Sequence, residues 1–360
     1  MRVCVVGVGA LGRHHARILA GLPNVELVAV ADPNEQQGRA VAEVCGCDWT
    51  PDYRTLISKV DAASVVVPTS FHLAVAGAFL QAGVPVLVEK PLAGNVTDGT
   101  KLVELANEKN LSLQVGHIER FNPAFECLQE HCGAVKYIRA ERTSPYPFRS
   151  TDIGVVHDLM IHDIELIIEL AGELPTSVEA FGVSLVGGHE DSVQARLKFP
   201  GGCVADITAN RVCPTVSRQL QVWSDRGCAI ADLQQRKVSV FSPGSPLKAG
   251  LLPYYLSQVP GADIPQLKAD VFGQFIEHQK FEGGDADALT AELSEFIGAV
   301  AESQAPRVAG IRGLEALQVA EHVVECVRSH QWDGTVDGRI GPMALLENVV
   351  ESRDYSRRAA

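Results

Sequence analysis

The chain has 360 residues, more than one hydrophobic core normally serves, so two domains are expected. Hydrophobic residues make up 46% and charged residues 21%, the balance of a soluble globular protein, and a formal net charge of −13 argues against nucleic-acid or anionic-membrane partners, which call for a basic face. Nine cysteines without a CxxC pair read as reduced, mostly packed thiols rather than a disulfide or zinc framework, and no metal is expected.

Up to about residue 118 short apolar runs alternate with amphipathic stretches. RVCVVGVG, VELVAVAD, AASVVVPT, VPVLVEK and LSLQVGH have the length and β-branched content of buried parallel strands. Between them ALGRHHARILAG, NEQQGRAVAEVCG, HLAVAGAFLQAG and VTDGTKLVELANEKN show helical spacing, several closing on Gly or Asn. This is the pattern of a doubly wound α/β domain of the Rossmann type over residues 1–118. From about residue 133 the rhythm changes to longer alternating runs such as SVQARLKF, in which Val193, Ala195, Leu197 and Phe199 share one face. Residues 119–330 therefore read as an α+β domain on a large, mostly antiparallel open sheet, its last helix returning toward the first domain, with 331–360 as a C-terminal extension. The strands between residues 176 and 241 are expected to show one face to helices and the other, with Trp223 and apolar neighbours, to a second subunit in a homodimer or homotetramer.

The first chemical motif is GVGALG, where Gly7, Gly9 and Gly12 stand in GxGxxG spacing between a strand and a helix, with Ala10 and Leu11 inside the turn. Glycine serves a tight turn, close approach of backbone to pyrophosphate and helix–strand packing. The second strand ends at Asp32, twenty residues after Gly12, where a carboxylate can accept both ribose hydroxyls of NAD. No arginine follows in DPNEQQ to meet a 2′-phosphate, so NAD is expected over NADP.

The run VPVLVEKPLAG ends its apolar stretch on Glu89, Lys90 and Pro91. In a doubly wound sheet the ligand lies beyond the carboxyl ends of the strands, so Lys90 is either a proton-sharing ammonium beside the nicotinamide or a surface lysine capping a strand. Further on, DIGVVHDLMIHDIELIIELAG has helical spacing and closes at Gly172. That spacing puts Asp158, His162, Glu165 and Glu169 on one polar stripe, with Val155, Leu159, Leu166 and Leu170 beside it as a packing face. Such a stripe is usually just solvated, but a carboxylate one turn before a histidine suits a general base.

Together GVGALGRHH, AVAD, VVPTSFH, VEKP and DLMIHDIE resemble the glucose-fructose oxidoreductase, inositol dehydrogenase and rhizopine-catabolism family, Gfo/Idh/MocA, over roughly residues 1–330. The resemblance implies that Lys90 and His162 carry the chemistry with Asp158 beside them, and that Thr69, His72, Glu89 and Lys90 join the glycine turn and Asp32 around NAD. One departure is Glu165, where the family commonly has Asp; it is assigned no role.

GHIERFNPAF and SPYPFRSTDIGVVHDLMIHDIE are similar to the branch that oxidises the 3-hydroxyl of UDP-N-acetylglucosamine and related sugar nucleotides. On that likeness His117, Arg120, Asn122, Tyr146 and Arg149 are substrate candidates, an arginine suiting a diphosphate. The alternative for Arg120 and Asn122 is that they only brace the turn between domains. The expected reaction is hydride transfer from a sugar carbinol to NAD, His162 taking the hydroxyl proton and Lys90 hydrogen-bonding the same oxygen. A free polyol or sugar such as myo-inositol is the second substrate reading, and a nicotinamide-binding regulator without turnover the third. No apolar run approaches the roughly 18 residues of a membrane span and no signal peptide is evident, so the expected location is the cytoplasm.

Overall fold

The computed structural model describes residues 1–148, 153–186, 188–284, 287–333, 335 and 338–344. The chain forms two units, one of Met1–Phe121 with Ala286–Glu321 and one of Asn122–Asp285 with His322–Ala360.

In the first unit β1 (Arg2–Val6), β2 (Glu26–Ala31), β3 (Asp48–Thr50), β4 (Ala62–Val65), β5 (Val86–Glu89) and β6 (Leu113–Gly116) make one parallel sheet in the order β3-β2-β1-β4-β5-β6. This is the doubly wound order, with its reversal between β1 and β4. The strands read as unbroken apolar runs because both faces are covered. On β1, Cys4 and Val6 enter one core while Val3 and Val5 enter the other. Helices α1 (Gly12–Gly21), α2 (Glu35–Cys45), α3 (His72–Gln81) and α4 (Val96–Glu108) join successive strands. Asn34 and Asn95 cap α2 and α4, accepting the amides of Gln37 at 3.1 Å and Asp98 at 2.9 Å. The chain later returns to these cores: Leu289, Leu293 and Phe296 of helix Ala288–Glu302 complete one face, and Leu314 and Leu317 of helix Gly310–Ser329 the other.

The second unit is built on β7 (Val135–Thr143), β8 (Ser177–Val183), β9 (Ser192–Lys198), β10 (Val204–Asn210), β11 (Ser217–Ser224), β12 (Gly227–Asp232), β13 (Lys237–Pro243) and β14 (Ile276–Glu282). Their order is β14-β13-β12-β11-β7-β10-β9-β8, and only the β7–β10 pair is parallel among these described strands. Period-2 alternation buries one face, with Ile138, Ala140, Val193, Leu197, Ile207, Ala209, Leu220 and Val222 on it. Helices α5 (Pro123–His131) and α6 (Ile161–Ala171) belong to this unit. The opposite sheet face mixes apolar side chains, Phe181 among them, with paired polar ones. Trp223 is half exposed there, but Arg196 pairs with Asp206 at 2.7 Å, Lys198 with Glu179 at 2.6 Å, and the Tyr137 hydroxyl donates to Asp206 at 2.9 Å.

Candidate active site

The glycine turn has the shape that its spacing asks for. Gly7 adopts φ +84°, and a Cβ on it would stand 2.4 Å from the Val66 carbonyl oxygen, so no other residue fits. Gly12 packs directly on the Gly7 carbonyl. Gly9 is different: a Cβ there would meet no protein atom within 4 Å. The protein's own packing does not require glycine at 9, which leaves open space for a ligand's close approach to backbone. Ala10 and Leu11, both exposed, lead into α1, whose N-terminus offers a favourable dipole for an anion. Asp32, just beyond β2, accepts the amides of Val8 at 2.9 Å and Asn34 at 2.8 Å. An open backbone at the turn, a helix N-terminus and a carboxylate tied to the same turn fit the pyrophosphate and ribose of NAD.

Lys90 follows β5 directly, half-buried, and its peptide bond to Pro91 is cis. The neighbouring strand end carries His117, fully buried. Burial above all, with the charges of Lys90 and Arg120 behind it, pushes the His117 imidazole down to about 3, so it is neutral near pH 7. The charge of Lys90 is thus felt at the carboxyl end of β6.

His72 and Glu89, expected beside the cofactor, make their described polar contacts within the fold. His72 is 1% exposed, with Nδ1 3.0 Å from the Pro91 carbonyl and Nε2 3.0 Å from the Val67 carbonyl. Burial lowers its pKa against the pull of those carbonyls and of Glu89. Its ring bridges the chain that follows β4, at Val67, to the segment that follows Lys90, at Pro91 and Leu92. Glu89 turns inward: Oε1 lies 3.2 Å from His15 Nε2, and Oε2 accepts the Lys90 amide at 3.3 Å. Thr69 opens the 3-10 turn Thr69–Phe71 and stays partly exposed, open to contact.

The substrate candidates also separate. His117 and Arg120 are buried, and the Arg120 carbonyl accepts from Arg307 at 3.3 Å. Asn122 caps α5, accepting the Ala124 amide at 3.0 Å and donating to the Leu233 carbonyl at 2.9 Å. Tyr146 is partly exposed, its ring 5.0 Å from that of Phe148 and 5.3 Å from the Arg211 guanidinium. Arg149 lies outside the described residues.

Asp158 sits in a π-helical turn, Val156–Met160, that runs straight into α6, with His162 one residue past the junction. Wide turns of this kind recur at functional sites because they re-aim side chains without ending the helix. The solvated stripe read from the sequence needs correction. Asp158 and Glu165 are buried, and so is Asp163, while Leu159 and Leu170 of the expected packing face are only partly covered. Asp163 is held by Arg142 of β7 through two bonds of 2.9 and 2.8 Å. A parallel pair, Asp191 and Arg211, lies at the ends of β9 and β10, bonded at 2.9 Å, with Arg211 also donating to the Ile153 carbonyl at 2.7 Å. Glu190 approaches the Val156 amide, so the segment leading to Asp158 is anchored by residues 190, 191 and 211. The sequence reading missed these anchors.

Residues 1–117 match the family model described as oxidoreductase family, NAD-binding Rossmann fold, and residues 129–230 match the Gfo/Idh/MocA C-terminal domain. The chain is 35% identical over 325 residues to the UDP-N-acetylglucosamine 3-dehydrogenase of Acidithiobacillus ferrooxidans, covering 90% of this chain and 96% of that protein. A solved structure of that dehydrogenase superposes with a TM-score of 0.80 at 34% identity, covering 91% of this chain and 97% of the other. An inositol 2-dehydrogenase of Rhizobium meliloti is 26% identical over 344 residues, covering 91% and 97%.

Proposed function

The chain belongs to the Gfo/Idh/MocA oxidoreductase family of NAD-dependent dehydrogenases acting on CH–OH groups, and from that premise we propose that it oxidises the 3-hydroxyl of UDP-N-acetylglucosamine or a closely related nucleotide sugar to the ketone. The observation that carries the substrate is the 35% identity to a UDP-N-acetylglucosamine 3-dehydrogenase along nearly the whole of both chains, against 26% to an inositol dehydrogenase.

NAD, when bound, supplies the hydride acceptor. Gly7, Gly9, Ala10, Leu11 and Gly12 would hold its pyrophosphate and Asp32 its adenosine ribose, and Thr69 is assigned to the cofactor as well. His162 takes the proton of the reacting hydroxyl, and Asp158 orients its ring and supports the imidazolium that forms. Lys90 hydrogen-bonds the oxygen as it loses that proton and stabilises its negative charge. Tyr146 and Arg149 precede the His162 helix in sequence and are assigned to the sugar nucleotide, Arg149 to its diphosphate. The protein is proposed to work as a homodimer or homotetramer, which light scattering at micromolar concentration reads directly.

The test is turnover. Purified protein is incubated with NAD and, separately, UDP-N-acetylglucosamine, other UDP-sugars, free N-acetylglucosamine and myo-inositol, and nicotinamide absorbance is followed. The proposal expects reduction with a UDP-sugar and little with the free compounds. Turnover of myo-inositol without turnover of any nucleotide sugar overturns the substrate and leaves the dehydrogenase.

A further inference from the structure

His15 lies in the first turn of α1, just past the glycine turn, and is completely buried. Its Nδ1 is 2.9 Å from Ser64 Oγ on β4, and its Nε2 is 3.2 Å from Glu89 Oε1 at the end of β5, at an angle short of a straight hydrogen bond. A carboxylate accepts and a hydroxyl can donate, so these neighbours suit the tautomer in which Ser64 donates to Nδ1 and the ring proton on Nε2 faces the Glu89 carboxylate, close to it but off the line of a straight bond.

The carboxylate between His15 and Lys90 has little freedom. Its Oε2 takes the Lys90 amide, and a Cβ on Gly116, its register partner on β6, would stand 2.7 Å from Oε1. Glu89 also makes itself felt at His72, which grips the Pro91 carbonyl beyond Lys90. An apolar residue at 15 would serve packing alone. A buried serine, histidine and glutamate cost desolvation that pays only where their mutual geometry is fixed. Here that geometry ends on the peptide that carries Lys90.

We infer that His15 is a positioning residue for Lys90, acting through Glu89, and that it joins the helix after the glycine turn to the strand end where Lys90 stands. The inference rests on the proposed role of Lys90.

Two substitutions separate the two ends of the ring. The amide nitrogen of Gln in His15→Gln reaches toward the place of Nε2 and can donate to Glu89; the shorter amide in His15→Asn serves only the Ser64 side. Turnover on whichever substrate the parent uses, NAD affinity and melting temperature are measured for both, with Lys90→Ala alongside. His15→Asn is expected to lose roughly ten- to a hundredfold in kcat, the scale of a small misplacement of a reacting group, with NAD affinity nearly kept, and His15→Gln to recover most of it. Parental kcat in both His15 variants beside a crippled Lys90→Ala overturns the inference, as do equal losses in both that track a common fall in melting temperature. An unimpaired Lys90→Ala instead overturns the role given to Lys90. A second readout needs no substrate: the rate of Lys90 reductive methylation with formaldehyde and cyanoborohydride, followed by peptide mass spectrometry. It changes in His15→Asn and stays parental in His15→Gln if His15 positions Lys90, and is the same in all three proteins if it does not.

Discussion

The carboxylate of Asp32 is bonded to the amide of Val8, 2.9 Å away and inside the glycine turn, so the residue that would select the ribose is fixed to the loop that would hold the pyrophosphate. Removing it should harm both. Asp32→Ser is expected to weaken NAD binding by roughly ten- to a hundredfold, the worth of hydrogen bonds to a charged group, and to narrow the preference for NAD over NADP. Titration of both cofactors against parent and variant checks this; equal affinity of the parent for the two would contradict the role of Asp32.

His162→Ala and Lys90→Ala should each lower turnover by about two to four orders of magnitude, the usual contribution of a proton-handling group, while NAD affinity stays close to the parent's. Steady-state kinetics with cofactor titration reads both. Near-normal turnover in either variant removes that residue from the mechanism.

Arg142 and Asp163 are almost fully buried and bonded twice. Removing one partner strands the other's charge in the core, so Asp163→Ala should destabilise the protein by about 3–5 kcal/mol in urea unfolding. Replacing both by well-packed apolar residues should recover much of that loss. A silent Asp163→Ala would show that the charge finds water or another partner.

Much of the architecture was legible because burial leaves its period in the sequence. The parallel strands show as unbroken apolar runs, and β9 and β10 as strict alternation. The same alternation held a signal that was passed over. Arg142 falls on the parity of Ile138 and Ala140, both buried, and Asp191 and Arg211 continue the buried parities of β9 and β10. A charge on a core parity demands a partner, and each has one. The roles of His15, His72 and Glu89 were less legible, because their partners come from distant parts of the chain and pair only once the sheet has formed. The π-helical turn at Asp158 was also invisible, since its spacing to His162 reads equally well as an ordinary helix.

His117 gives stability a pH dependence. In the folded protein it is pushed down to about 3, from an ordinary 6.5, so the unfolded chain binds a proton that the folded one refuses between those values. Stability is full above about 6.5 and falls as pH drops, by at most about 1.4 kcal/mol per pH unit for this group. His72, shifted in the same direction by burial, adds to it. Chemical denaturation at pH 7 and pH 5 should show the loss in the parent and a smaller one in His117→Gln. An unchanged pH dependence in the variant would mean that His117 does not stay neutral in the fold.

The central claim is that a hydride leaves C3 of a nucleotide sugar for NAD. UDP-N-acetylglucosamine deuterated at C3 is incubated with the protein and NAD, and the nicotinamide product is weighed by mass spectrometry. The account predicts reduced cofactor heavier by one mass unit, together with a 3-keto sugar nucleotide. Reduced cofactor of ordinary mass, or none formed while an unphosphorylated polyol is oxidised, would contradict it.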